Sequence, residues 1–170
     1  MKIYPIKAHP ILVGEVLTKI LDQYLTSLAE ETIVAITSKV ISLCQERVVQ
    51  KDTVNSKFEL IKKEADAHLR EGDSLHGAHL TIKHNVIIPS AGIDESNGAG
   101  TYILYPLDIQ QTAQEIWQHL RQKHSLNHLG VIITDSHTTP LRKGVTGITL
   151  GWCGFEPLYS YVGMPDIFDH

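Results

Sequence analysis

Two aspartates, Asp94 and Asp135, each stand at the end of an apolar run, and each is followed by small hydroxyl or amide residues. Carboxylates placed where strands give way to loops are suited to hold magnesium or manganese, hard cations that take oxygen ligands and leave positions open for phosphate oxygens. Ser96, Asn97 and Ser136 could add neutral oxygens. The plainer alternative is that both aspartates organise turns through side-chain to backbone bonds, as Asp does in any glycine-containing loop. Lys39, in Ile36-Thr-Ser-Lys-Val-Ile-Ser42, follows a predicted strand directly and lies between Ser38 and Ser42. It could bring an ammonium and two hydroxyls to a phosphate, or stand as a solvated lysine at a strand exit. Arg142 and Lys143 are also available to anions.

Neither common glycine-rich phosphate cradle, G-x-x-x-x-G-K-[ST] or G-x-G-x-x-G, occurs, so a nucleotide site here must be of another kind. There is no H-E-x-x-H, and the pair His76 and His79, with His68 and His84 nearby, is too loosely spaced to point to zinc.

The elements that must carry these residues follow from periodicity. Val16 to Ala29 sets Val16, Ile20, Leu21, Leu25 and Leu28 at helical spacing, and Ile33 to Ile36 follows as a short β-branched strand. Phe58 to Leu69 predicts a second helix, with Phe58, Ile61, Ala65 and Leu69 on one face. Val86 to Ile88 and Tyr102 to Leu104 are strands on either side of the glycine-containing stretch from Ala91 to Gly100. Asp108 caps a helix running to about Lys123, with Ile109, Thr112, Ala113, Ile116, Trp117 and Leu120 as its apolar stripe. Val131 to Ile133 is a strand ending at Thr134-Asp135-Ser136, after which His137 to Gly147 reads as irregular. Mixed strands and helices predict an α/β or α+β fold, a mixed sheet with flanking helices, over one domain spanning residues 1–170.

Composition narrows the function classes. Fifteen basic against nineteen acidic side chains, a formal net charge of -4, leave no basic excess for binding nucleic acid through its phosphates. The longest uncharged stretches, Ser96 to Leu107 and Gly144 to Phe155, are shorter than the roughly 18 apolar residues a spanning helix needs. An N-terminus broken by Pro5 and Lys7 does not read as a signal peptide, which predicts a cytoplasmic location. Cys44 and Cys153 are far apart and read as reduced thiols.

At these same segments the sequence resembles the coenzyme F-420-0:γ-glutamyl ligases, which add glutamate to the phospholactyl arm of a deazaflavin coenzyme. The matching pieces are Thr37 to Ser42 with Arg47-Val-Val49, Lys83-His84 before Ala91 to Asn97, and Val131 to Ser136. Pro140, Arg142, Gly144, Thr146, Gly151, Gly154 and the region from Pro157 to Tyr161 continue the match in family order. The resemblance implies a mixed α/β fold, a homodimer, and a GTP site with divalent manganese or magnesium. It implies metal roles for Asp94, Asp135 and Ser136, and nucleotide roles for Ser38, Lys39, Ser42 and Asn97. His84 and Arg142 are implied near substrate or phosphate. The implied reaction is phosphoryl transfer from GTP to a substrate carboxylate, followed by attack of the glutamate amine on the acyl phosphate; no general base is assigned.

The sequence also departs from the family pattern. Leu43-Cys-Gln-Glu46 stands where members commonly show Lys-Ala-Glu-Gly, and Thr138 and Thr139 replace a Gly-Arg pair. Leu141 stands for a tryptophan, Lys143 for a glutamate and Gly147 for an aspartate, and members commonly continue well past the position of His170. Two alternatives to the ligase reading follow: a homologue that binds a small anion or metal without turnover, or a ligase for another, folate-like acceptor.

Overall fold

The alternation of Thr32-Ile-Val-Ala-Ile-Thr37 suits a strand with one face in the core, and in the computed structural model these residues form β1, Thr32–Thr37, with Val34 and Ile36 buried. The structure describes residues 1–70, 79–96, 98, 100–139 and 141–168. β1 pairs in parallel with β7, Leu129–His137, and β7 pairs antiparallel with β8, Thr146–Cys153, giving a mixed sheet in the order β1-β7-β8. β2, Val48–Gln50, forms a ribbon with β6, Thr101–Ile103. β3, Ala67–His68, β4, Leu80–Lys83, and β5, Val86–Pro89, form a small antiparallel sheet. The fold is therefore a mixed α+β arrangement, as the periodicity predicts.

Among the described residues four α-helices complete it: α1, Leu17–Tyr24; α2, Ser38–Cys44; α3, Lys57–Glu64; and α4, Ile109–His124. α4 buries Ile109, Thr112, Ala113, Ile116 and Leu120 against the sheet. Each large aliphatic side chain removed from water there contributes about 1.5–3 kcal/mol. Trp117 is half-buried against this core, and its indole N–H donates to the Leu129 carbonyl at 2.8 Å. A second cluster gathers Leu60, Ile61, Ala91, Ile93 and Leu104.

The structure corrects several sequence boundaries. The first helix stops at Tyr24 because the chain leaves helical geometry at Leu25, whose side chain still enters the core. The predicted helix from Phe58 ends at Glu64, where Ala65 turns to extended geometry, the Lys83 ammonium takes the Glu64 carbonyl, and Ala67 enters β3. Leu69, assigned by spacing to the buried face, is therefore exposed. Asp108 does occupy the N-cap position of α4, but in left-handed geometry and with no side-chain cap bond. Gln45 instead binds both the Leu107 backbone and the Thr112 hydroxyl, tying α2 to the start of α4. β7 continues to His137, and Thr146 and Gly147 pair with His137 and Ser136, so part of the predicted irregular stretch is strand.

Candidate functional site

Because β1 and β7 run the same way, with Thr37 opposite Thr134, the residues that follow them emerge on the same edge of the sheet. One exit opens α2 and the other carries Asp135. Within α2, Ser38 and Ser42 are four residues apart and Lys39 and Ser42 three apart, so all three side chains can share one helix face. On β7 the pleat sets Val131, Ile133 and Asp135 on one face, which takes the carboxylate directly off the driest part of the core.

Asp94 arrives from the other cluster. Ser90, Ala91 and Gly92 lie consecutively in left-handed backbone geometry, which L residues other than glycine rarely adopt. Thr81 fixes that turn: its hydroxyl accepts the Ala91 N–H at 2.8 Å and donates to the Ile88 carbonyl. Asp94 then exchanges both backbone hydrogen bonds with Ile103, each at 2.9 Å. Two residues beyond Ile103, Tyr105 lies against Gly92; a Cβ on Gly92 would come within 2.3 Å of the tyrosine ring.

These pieces enclose one small cavity lined by Ser38, Lys39, Ser42, Asp94, Tyr105 and Asp135, with Gly92, Ile103 and Leu104 behind them. It offers about 20 Å³, room for one water-sized occupant. The Lys39 ammonium pairs with the Asp94 carboxylate and donates to the Ser96 hydroxyl at 3.1 Å, while the Ser96 N–H donates to Asp94 at 2.6 Å. Burial works against the Asp94 charge, but these bonds from Lys39 and Ser96 outweigh it and hold the carboxyl below the ordinary aspartate range. Burial pushes Asp135 the other way, upward; bonds from the Ser136 N–H and the Ser38 hydroxyl oppose the rise, and the Asp94 charge reinforces it. Two of the lining residues carry buried hydroxyls, Ser42 Oγ and Tyr105 Oη, that have no hydrogen-bond partner. Buried polar groups are nearly always paired, so each is a place where a bound oxygen is expected.

The sequence-predicted site residues thus divide. Ser38, Lys39, Ser42, Asp94 and Asp135 meet at the cavity. Ser136 is exposed, on the opposite face of the β7 pleat from Asp135, and reaches the site through its backbone N–H. His84 is exposed on the turn between β4 and β5 and stacks on the Tyr105 ring at 5.9 Å. Arg142 is exposed in the connection between β7 and β8 and does not line the cavity. Asn97 lies outside the described residues, as does His76. Tyr105 and Gly92 have no signal in the sequence beyond ordinary core and turn residues. Among the described residues no group of three His, Cys, Asp or Glu side chains could hold a metal ion. Oxygen donors of the two-carboxylate kind are still the set that suits magnesium or manganese, which keep several waters and share the rest of their ligands with substrate phosphates.

Comparison with known proteins places the chain. A family model described as F420-0:Gamma-glutamyl ligase matches residues 2–170. The chain belongs to the F420-0:gamma-glutamyl ligase family. Among curated relatives, the Coenzyme F420:L-glutamate ligase of Methanopyrus kandleri is 32% identical over 111 residues, 65% of this chain and 43% of the relative. That of Methanococcus maripaludis strain C7 is 29% identical over 157 residues, 83% of this chain and 62% of the relative. That of Methanocaldococcus jannaschii is 34% identical over 86 residues, 51% of this chain and 34% of the relative. The chain therefore matches about two fifths to three fifths of the length of the first two relatives. Among the described residues of this family member, no helix is long and apolar enough to cross a membrane.

Proposed function

We propose that this chain carries the metal and nucleotide-phosphate part of a γ-glutamyl ligase that joins L-glutamate to a coenzyme F-420-0-like carboxylate at the expense of GTP. The observation that carries the reading is the meeting of Asp94, Asp135, Lys39 and two unpartnered hydroxyls in one cavity. Family membership and the names of the relatives support the ligase class.

In this reading Asp94 and Asp135 would hold a divalent manganese or magnesium ion, and the Ser38 and Ser42 hydroxyls would serve the nucleotide beside Lys39. When bound, that ion neutralises phosphate charge and polarises the phosphoryl group. Lys39 exchanges its bond to Asp94 for a phosphate oxygen as a point charge. The acceptor carboxylate takes the γ-phosphoryl group, GDP leaves, and the glutamate amine displaces phosphate from the acyl phosphate, losing a proton as the amide forms. Arg142 and Asn97 belong to this reading as phosphate and nucleotide contacts, Ser136 as the backbone N–H that holds Asp135, His84 as a substrate contact at the Tyr105 side, and a second copy of the chain as its partner.

Titration calorimetry of the purified chain with GTP, with and without manganese, tests the proposal. Manganese-dependent binding that disappears in Asp135→Ala is the expected result; no binding of millimolar GTP in either condition overturns it. The small size of the cavity favours a second reading, a homologue that binds a metal ion or small anion without turnover. GTP hydrolysis or ligation abolished by a chelator excludes that reading.

A further inference from the structure

Tyr105 is only 3% exposed, yet its hydroxyl has no hydrogen-bond partner. Leaving a buried hydroxyl unpaired costs about 1–3 kcal/mol, so folding alone would favour phenylalanine at this position. The rest of the residue is nevertheless held with care. The Arg47 guanidinium donates to the Tyr105 carbonyl at 3.1 Å and is itself anchored on Glu64 at 2.7 Å. The His84 ring stacks on one side, and the absent side chain of Gly92 makes room for the ring edge. Tyr105 lines the small cavity together with Asp135 and with Ser42, whose own buried hydroxyl is also unpartnered. Residues bearing two orphaned hydroxyls and two carboxylates thus line about 20 Å³, room for one oxygen atom.

We infer that Tyr105 is a ligand-contact residue of this cavity, whose hydroxyl holds a water oxygen carried by a divalent cation bound between Asp94 and Asp135. The inference rests on the two-aspartate metal site proposed above and adds to it a residue supplied by the segment after β6. A tyrosine is a neutral O–H near pH 7. It therefore acts as a hydrogen-bond partner and leaves charge balance to the aspartates. Partners of this outer kind typically change metal affinity by about 10–100-fold.

The test is manganese binding to the full chain, read by the loss of the free-ion electron paramagnetic resonance signal, with thermal unfolding of the cation-free protein alongside. Tyr105→Phe is expected to weaken manganese binding about tenfold while leaving the cation-free melting temperature unchanged or higher. Asp135→Asn serves as the control for the underlying site and is expected to abolish tight binding. Wild-type affinity in Tyr105→Phe, with binding lost in Asp135→Asn, overturns the role of Tyr105 and leaves the metal site standing. A lower cation-free melting temperature in Tyr105→Phe also overturns it, by giving the hydroxyl a structural role. Undiminished binding in Asp135→Asn removes the two-aspartate site and this inference with it.

Discussion

The ammonium of Lys39, in the first turn of α2, forms an ion pair with Asp94, one of the two carboxylates that line the cavity. A metal ion bound as proposed above would compete with this lysine for the same oxygen. Lys39→Met is therefore expected to bind manganese alone roughly 3–10-fold more tightly, while its affinity for GTP with manganese falls by about tenfold as the phosphate loses its point charge. Paired calorimetric titrations, with the ion alone and with ion plus nucleotide, check the opposed signs.

Gly92 is expected to tolerate no side chain. Its φ of +71° is strained for L residues, and a Cβ would sit 2.3 Å from Tyr105 Cδ2. Gly92→Ala should destabilise the protein by about 2–4 kcal/mol in urea unfolding, since backbone strain and overpacking add. It should also weaken manganese binding by displacing the ring.

Thr81 is a distant support of the same site. Its hydroxyl, with the residue 2% exposed, pins the left-handed turn that delivers Asp94. Thr81→Val keeps the shape and leaves the Ala91 N–H without its acceptor, which predicts a loss of about 1–3 kcal/mol in chemical denaturation. Thr81→Ser, retaining the hydroxyl, should recover most of the loss.

The acid limb of stability has a contributor far from the site. Glu30 accepts the backbone N–H groups of Asn127 and His128 at 2.9 and 2.7 Å, which hold its carboxyl below the ordinary glutamate range. A depressed folded-state pKa contributes stability above the unfolded-state value and loses it as pH falls through the folded-state value. Melting temperatures of Glu30→Gln should therefore lie below wild type near neutral pH and converge with it at strongly acidic pH.

How much of this was written legibly in the sequence depends on what carried each signal. α4 is readable because Ile109, Ala113, Ile116 and Leu120 repeat at helical spacing, and β1 and β7 because their apolar runs are short and β-branched. β8 is hidden by Gly147 and Gly151, which dilute its alternation, and it exists because β7 offers it a partner. α3 ends early for a tertiary reason, the hold of Lys83 on the Glu64 carbonyl, which no local pattern contains. Asp94, Asp135 and Lys39 stand out by residue type and place, but only the paired exits of two parallel strands and a strained turn bring them to one cavity. Tyr105 carried no signal, since an isolated tyrosine after a strand looks like any core residue until its hydroxyl is found unpaired.

The alternation along β7 also makes the length of that strand a chemical property of the protein. Asp135 faces the cavity because it is an even number of steps from Val131 and Ile133, and the opposite face presents Ser136. Sliding β7 by one residue against β1 would bury an alcohol where an acid now stands and turn the acid to the far side. The strand can therefore accept many changes of side chain, whereas a single inserted or deleted residue before Asp135 would exchange one reactive group for another. The irregularity between Ile133 and Thr134 absorbs an extra residue on β8 and leaves the pairing of β7 with β1 unbroken. The extra residue thus lies on β8, a strand that carries no member of the cavity.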